Sequence, residues 1–105
     1  MSAFRVVLVT APPEKAEQLA QMIVDRRLAA CVNVVDNIKS YYHWKGVVKK
    51  DDESLLIAKT ATKKVEGLVA FIRQSHFNDV PEVVALTITE GNPDYLNWLD
   101  EETSK

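Results

Sequence analysis

The segment LAACVNVVDNIKSYYHWKG, residues 28–46, organises the fold because it is too long for one ordinary strand. Cys31 to Val35 is small, apolar and β-branched, which is typical of a buried strand. Asp36 and Asn37 interrupt this run, and the aromatic, half-polar stretch Ser40 to Trp44 follows. The pattern predicts a long strand, bent or bulged near Asn37, whose distal half leaves the core.

The sequence on either side of this segment predicts the order β-α-β-β-α-β with an additional helix at the end. Three further strands are expected at Phe4–Thr10, Leu55–Ala58 and Val83–Thr89, and helices at Pro13–Arg27, after a cap at Thr60–Thr62, and after a cap at Asn92. Gly46 and the charged run Lys49–Asp52 suit a hairpin tip, and Glu101–Lys105 suits a frayed tail. The predicted fold class is α+β: a ferredoxin-like βαββαβ sandwich with a long bent β-hairpin and a short C-terminal helix.

Length, charge and cysteine content narrow the functional classes. The 105 residues predict a single domain, residues 1–105. A formal net charge of −2 argues against nucleic acid or an acidic membrane as the main partner. The single cysteine cannot form an intrachain disulfide, which favours a reducing compartment. The apolar run Phe4–Val9 is too short for a signal peptide or a membrane span, so we expect a cytoplasmic protein.

Several predicted strands are apolar on both faces, whereas the predicted helices can cover only one face of the sheet. The strands beginning at Phe4, Leu55 and Val83 are continuous apolar runs rather than alternating ones. Large apolar patches are uncommon on the surface of monomers. The pattern therefore favours a closed oligomer in which sheets pack on sheets and the hairpin reaches a neighbour's edge, over one sheet with an open apolar face.

A set of motifs in order along nearly the whole chain resembles the CutA family of divalent-cation tolerance proteins. The motifs are Thr10-Ala-Pro, Leu28-Ala-Ala-Cys-Val-Asn, Ser40-Tyr-Tyr-His-Trp-Lys-Gly, Lys59-Thr60, Val80-Pro-Glu and Gly91-Asn-Pro-Asp-Tyr-Leu-Asn-Trp-Leu. The resemblance implies a ferredoxin-like homotrimer whose hairpins clasp adjacent subunits. It also implies a role in tolerance to copper and other divalent metal ions.

The candidate metal ligands are Cys31 and His76. A thiolate at Cys31 would bind a soft ion such as Cu(I), although its apolar neighbours favour a structural cysteine that packs as a small hydrophobic residue. Family members often have a His-Pro-Tyr-type sequence where this chain has His76-Phe-Asn, and some have a thiol at the position of Val9. His43 suits a surface residue on the hairpin. With so few ligands we expect any copper or other divalent ion to bind weakly.

A second candidate site is a small-ligand cleft at a subunit boundary. Its expected residues are Trp44, Lys59, Glu82, Tyr95 and Trp98, with His76 nearby. Apolar walls with a few convergent charges describe many small-ligand sites. The alternative is structural, because Lys59 and Glu82 stand at the ends of apolar strands and could form an ion pair within or between subunits.

No catalytic motif stands out, so we expect a protein without enzymatic activity. The sequence lacks a glycine-rich phosphate loop, a His-x-x-x-His pair and a nucleophile with a nearby base. Two other functions remain open beside metal response. One is a trimeric signalling module similar to the PII proteins, which bind nucleotides between subunits. The other is a structural trimer that supports partner proteins.

Overall fold

The computed structural model describes residues 3–75 and 77–105. The elements are β1 (Phe4–Ala11), α1 (Pro13–Asp25), β2 (Cys31–Trp44), β3 (Val47–Ala61), α2 (Val65–Gln74), β4 (Val83–Thr87) and α3 (Pro93–Thr103). The strands form one sheet in the order β2-β3-β1-β4, and each neighbouring pair is antiparallel. This order and the two intervening helices confirm the predicted ferredoxin-like α+β fold.

One face of the sheet, the inner face, packs against α1 and α2. The buried cluster joins Val7 and Val9 of β1, Leu56 and Ala58 of β3, Leu19 and Ile23 of α1, and Leu68 and Ile72 of α2. The helical residues recur at three- and four-residue spacing, which places them on one stripe of each helix. This is the main core of the domain, and both long helices lie over it as predicted.

The opposite face, the outer face, is apolar but largely open in the single chain. Leu8 of β1 lies between Ile57 of β3 and Val84 of β4, and Leu86 follows on the same face of β4. Val84 is 48% exposed and Leu86 is 53% exposed. Strand alternation therefore produces the second apolar face that the sequence predicts, and neither long helix covers it.

The long strand β2 bends where the sequence predicts. Its register against β3 shifts between Val35 and Ile38, and Asn37 adopts a φ of 62°. Asn tolerates this left-handed conformation better than most residues. The hydroxyl of Ser54 on β3 donates a hydrogen bond of 2.9 Å to the Asp36 carboxylate, which fixes the bulge against the neighbouring strand.

The hairpin tip is shorter than the predicted tip. The connection is the two-residue turn Lys45-Gly46, with φ values of 50° and 82°. Two positive φ values match the tight hairpin turn that continues the twist of its strands. The charged run 49–52, predicted as the tip, instead lies within β3, where Asp52 pairs with Lys39 across the hairpin at 2.8 Å. Cross-strand pairing accommodates the charges without a loop.

Two predicted helix boundaries on the inner face are also corrected. α1 ends at Asp25 rather than Arg27, because Arg27 turns into the left-handed region with a φ of 56°. Thr60 does not cap α2. It lies in β3, and its hydroxyl donates to the Leu28 carbonyl at 2.8 Å, so α2 begins instead from a 3₁₀ turn at Thr62–Lys64.

The C-terminal region is more ordered than the sequence suggests, while β4 is shorter. Asn92 caps α3 as predicted, since its side-chain oxygen accepts from the Asp94 amide at 3.1 Å. The predicted frayed tail is wrong, because α3 continues to Thr103, which is buried. An ion pair of 2.9 Å between Arg27 and Glu102 fixes this helix end to the end of α1. β4 stops at Thr87, two residues before the predicted end.

The bulge offers a direct test of the hairpin's local geometry. We expect Asn37→Val to lower the free energy of unfolding by about 1–2 kcal/mol, because a β-branched residue is strained at positive φ. Asn37→Gly should leave it unchanged or slightly higher. Chemical denaturation at one fixed protein concentration measures both variants. Equal stability of the valine and glycine variants would contradict the role assigned to the backbone of Asn37.

Candidate functional site

The distal half of the hairpin forms one wall of a large cleft. Beyond the bulge, Tyr42 and Trp44 of β2 share a face with Asp51 and Glu53 of β3. The segment 78–82 lies opposite them and encloses, together with Thr10, a cleft of about 670 Å³. Strand alternation is what places the two aromatic residues on the same side, because they are two positions apart. Trp44 and Glu82, two of the predicted cleft residues, both line this space.

The walls of this hairpin cleft carry both charge signs. The Tyr42 hydroxyl donates to the Asp51 carboxylate, and this hydrogen bond raises the pKa of Tyr42 above its ordinary value. On the opposite side, the Thr10 hydroxyl donates to Glu82 at 3.5 Å, a long contact. Lys39 also lines the cleft. Its ammonium group donates to Asp52 and thereby lowers the pKa of that carboxyl. The cleft therefore combines aromatic surface with polar groups of both charges.

The other predicted site residues gather around the first residue of β2. Cys31 lies directly opposite Lys59 on β3, whose ammonium group donates to the side-chain oxygen of Asn33. Tyr95 of α3 lies near Cys31; partial burial, with a smaller contribution from the cysteine, raises the pKa of the Tyr95 phenol. The rings of Tyr95 and Trp98 are 5.5 Å apart, and both side chains remain about two-fifths exposed.

Within a single chain, the predicted cleft residues therefore lie in two separate groups. Trp44 pairs with Val47 at one end of β3, whereas Lys59 lies near the other end. Twelve residues of strand separate Val47 from Lys59, which corresponds to about 40 Å. Lys59 and Glu82 form no ion pair with each other within the described residues. One chain therefore cannot bring Trp44 next to Lys59, Tyr95 and Trp98.

The sequence and this geometry together match one protein family. The family model described as "CutA1 divalent ion tolerance protein" matches residues 5–102. The chain belongs to the CutA1 family. The family description refers to tolerance of divalent ions and does not name a reaction.

Curated CutA relatives come from bacteria, animals and plants. The divalent-cation tolerance protein CutA of Thermus thermophilus is 48% identical over 99 residues, which cover 93% of this chain and 96% of that protein. Protein CutA of Mus musculus is 45% identical over 90% of this chain, and the chloroplastic protein CutA of Arabidopsis thaliana is 48% identical over 93%. The chain spans only 54% of the length of either of these two proteins.

Solved CutA structures share the fold along almost the entire chain. The CutA1 structure from Thermus thermophilus aligns with a TM-score of 0.92 at 46% identity, covering 95% of this chain and 98% of the other. CutA from Xylella fastidiosa aligns with a TM-score of 0.93 at 30% identity, covering 97% and 99%. The ferredoxin-like architecture with the long hairpin is therefore the architecture of the family.

Of the two metal ligands predicted for this CutA1 family member, only Cys31 lies among the described residues. Within residues 3–75 and 77–105, no three His, Cys, Asp or Glu side chains form a group that could hold a metal ion. Cys31 faces the cation Lys59, and His43 is exposed near the other end of β2. His76 lies outside the described residues. The described part of one CutA1 chain therefore does not provide a complete metal site.

Sequence reasoning missed part of the hairpin cleft. Thr10, Tyr42 and Asp51 line it but were not among the predicted site residues. The signal for Tyr42 was present, since it lies two positions before Trp44 and therefore shares its face. The positions of Thr10 and Asp51 in the cleft follow from the strand order and from the tight turn. The charged run 49–52 had indicated a longer hairpin tip and therefore a different register.

No described helix of this CutA1 chain is long and apolar enough to span a membrane.

Proposed function

We propose that the protein acts as a homotrimer in divalent-cation tolerance, binds copper or another divalent ion weakly, and has no enzymatic activity. The observation that carries the proposal is the match to the CutA1 divalent ion tolerance family over residues 5–102. Two features of the chain support the finer statements. They are the open outer face of the sheet and the lack of a metal-ligand cluster among residues 3–75 and 77–105.

The separation of the two site groups supports a ring of identical chains. When one patch of a chain meets a different patch of the next, the contact is heterologous, and it forms a cyclic oligomer when the rotation between neighbours closes. The hairpin end with Trp44 and the α3 region with Lys59 and Trp98 are two such patches, about 40 Å apart along β3. In the proposed trimer, the hairpin of one subunit meets the α3 region of its neighbour and completes the cleft between them.

The available donors support weak metal binding. Cu(II) favours imidazole and Cu(I) favours thiolate, so affinity depends on how many such groups meet at one ion. Cys31 and His43 lie near opposite ends of β2 and cannot share a coordination sphere. In our proposal His76 is the principal Cu(II) ligand, with a carboxylate or a neighbouring chain completing the site.

Calorimetric titration of the native protein with Cu(II) tests the metal proposal. We expect weak binding by the wild type, loss of most of it in His76→Ala, and little change in the matched variant His43→Ala. Cys31→Ser should affect mainly Cu(I) binding. Tight stoichiometric Cu(II) binding that survives His76→Ala would contradict this assignment.

The hairpin cleft favours a second candidate, a small-ligand response of the PII type. Its volume of about 670 Å³ lies within the usual range for small-molecule sites, and it combines aromatic walls with polar groups. ATP and ADP serve as the probes in the same calorimeter. Saturable nucleotide binding that Trp44→Ala weakens would favour this candidate over metal response.

We also propose a cytoplasmic location. The named compartments of relatives differ, since the Arabidopsis protein is named chloroplastic and the CutA protein of Archaeoglobus fulgidus is named periplasmic. The support is the single cysteine, which suits a reducing compartment. Fractionation of cells that express the full-length protein measures its location directly.

A further inference from the structure

A groove of about 390 Å³ lies between α1 and α2, the two helices that pack on the inner face of the sheet. α1 lines it with residues at positions 15, 18, 19 and 22, and α2 with residues at positions 71 and 74. Arg26 and Ser75, which directly follow these helices, and Phe77 complete the lining. These intervals of three, four and seven residues place one stripe of each helix on the groove. The outer face that the proposed trimer would bury lies on the opposite side of the sheet, so this inference does not depend on the proposed function.

The groove has an apolar floor and a polar rim. Leu19 is buried, while Met22 and Phe71 are half-buried and form the floor. The exposed side chains of Lys15 and Arg26 stand on the rim, together with neutral amide and hydroxyl groups. Among the described residues no carboxylate lines the groove, although acidic residues outnumber basic ones in the whole chain. The cations of the rim therefore attract a negatively charged ligand, and no described carboxylate of the groove repels it.

Arg26 is positioned to anchor such a ligand. Its guanidinium lies over the Phe71 ring at 4.8 Å from the ring centroid. This cation–π contact holds the flat guanidinium beside the apolar floor, and Arg26 forms no ion pair within the described residues. A planar guanidinium with free N–H groups binds a carboxylate through two parallel hydrogen bonds.

We propose that this groove binds a small amphiphilic organic anion, a carboxylate attached to a flat apolar body. The carboxylate binds Arg26, and the body lies on Phe71, Met22 and Leu19. Lys15 is three helical turns from Arg26, about 16 Å along α1, and therefore adds attraction at the far end rather than a second hydrogen bond to the same group. The groove's volume suits a small molecule rather than a peptide helix.

Amide chemical-shift titration of the intact protein with 2-naphthoate tests this site, and 2-naphthylmethanol serves as the uncharged probe of the same shape. We expect 2-naphthoate to shift amides of α1 and α2 and the uncharged probe to bind about tenfold more weakly or less. Arg26→Gln should weaken naphthoate binding about tenfold, with an intermediate loss in Arg26→Lys. Arg73→Gln is the matched control, because Arg73 is an exposed arginine of α2 that does not line the groove.

Three results would overturn the proposal. One is equal affinity for the charged and uncharged probes, and another is unchanged naphthoate binding in Arg26→Gln. The third is an acidic amphipathic peptide that shifts the groove amides while 2-naphthoate shifts none, which would assign the groove to a protein partner. The backbone spectrum of each variant shows whether it is folded, and Arg26→Lys provides a second test if Arg26→Gln is not.

Discussion

Val84→Asp is expected to convert the assembled protein into single chains of 11.8 kDa. Val84 lies on the outer face beside Leu8 and is half exposed in the isolated chain. In the proposed trimer this face packs against other subunits, so the substitution buries a carboxylate without a partner. An uncompensated buried charge costs about 3 kcal/mol or more, and a ring of three chains would carry three of them.

Val24→Asp is the matched control for this substitution. Val24 lies on α1 and is 37% exposed, close to the exposure of Val84, but it is on the helix side of the sheet. Sedimentation equilibrium should give the wild-type mass for Val24→Asp and the mass of one chain for Val84→Asp. If both variants keep the wild-type mass, the outer face is not the subunit contact.

Trp44→Ala is expected to weaken the assembly by about 2 kcal/mol per subunit while the isolated fold persists. Trp44 is the last residue of β2, lines the hairpin cleft and makes no contribution to the buried core. Large aromatic side chains at the centre of an interface often contribute this much to binding. Sedimentation of a dilution series measures the dissociation constant of the assembly, and far-UV circular dichroism shows whether the fold persists.

His43→Ala provides the comparison on the same strand. His43 directly precedes Trp44, so strand alternation places it on the opposite face of the hairpin, where it is exposed and does not line the hairpin cleft. We expect its replacement to leave assembly unchanged. Equal effects of the two substitutions would mean that the hairpin does not contact its neighbour through the Trp44 face.

The fold was predictable from sequence because its signals are local and agree with one another. Asn37 interrupts an otherwise β-branched run and indeed marks the bulge. Asn92-Pro93-Asp94 contains a complete helix start, with a cap, a proline and a favourable charge. The three- and four-residue periodicity of α1 and α2 identified the residues that form the inner core.

The errors occurred where a distant contact determines the local structure. Nothing near Glu102 in sequence indicates that Arg27 will hold the end of α3, some 75 positions away. By sequence Thr60 suits a helix cap, but its hydroxyl donates a hydrogen bond to the Leu28 carbonyl instead. The tip was misassigned because the charges at 49–52 suit a loop, although pairing across the hairpin accommodates them equally well.

The candidate site was only partly predictable, for a different reason. Sequence identified Trp44, Lys59, Glu82, Tyr95 and Trp98 as chemically notable, but composition and spacing do not give their separation in space. The structure places Trp44 and Glu82 at one cleft and the other three residues near Cys31. The groove between α1 and α2 was not anticipated, because Arg26 and Phe71 belong to different helices whose packing brings them together.

Sedimentation equilibrium of the wild-type protein at micromolar concentration tests the central claim most directly. In our proposal, neighbouring chains cover the open outer face and bring together the site residues that lie at two ends of the sheet. We expect three times the chain mass of 11.8 kDa, independent of rotor speed. A stable species with the mass of one chain would contradict the trimer, and with it the proposal that Trp44 meets Lys59, Tyr95 and Trp98 across a subunit boundary.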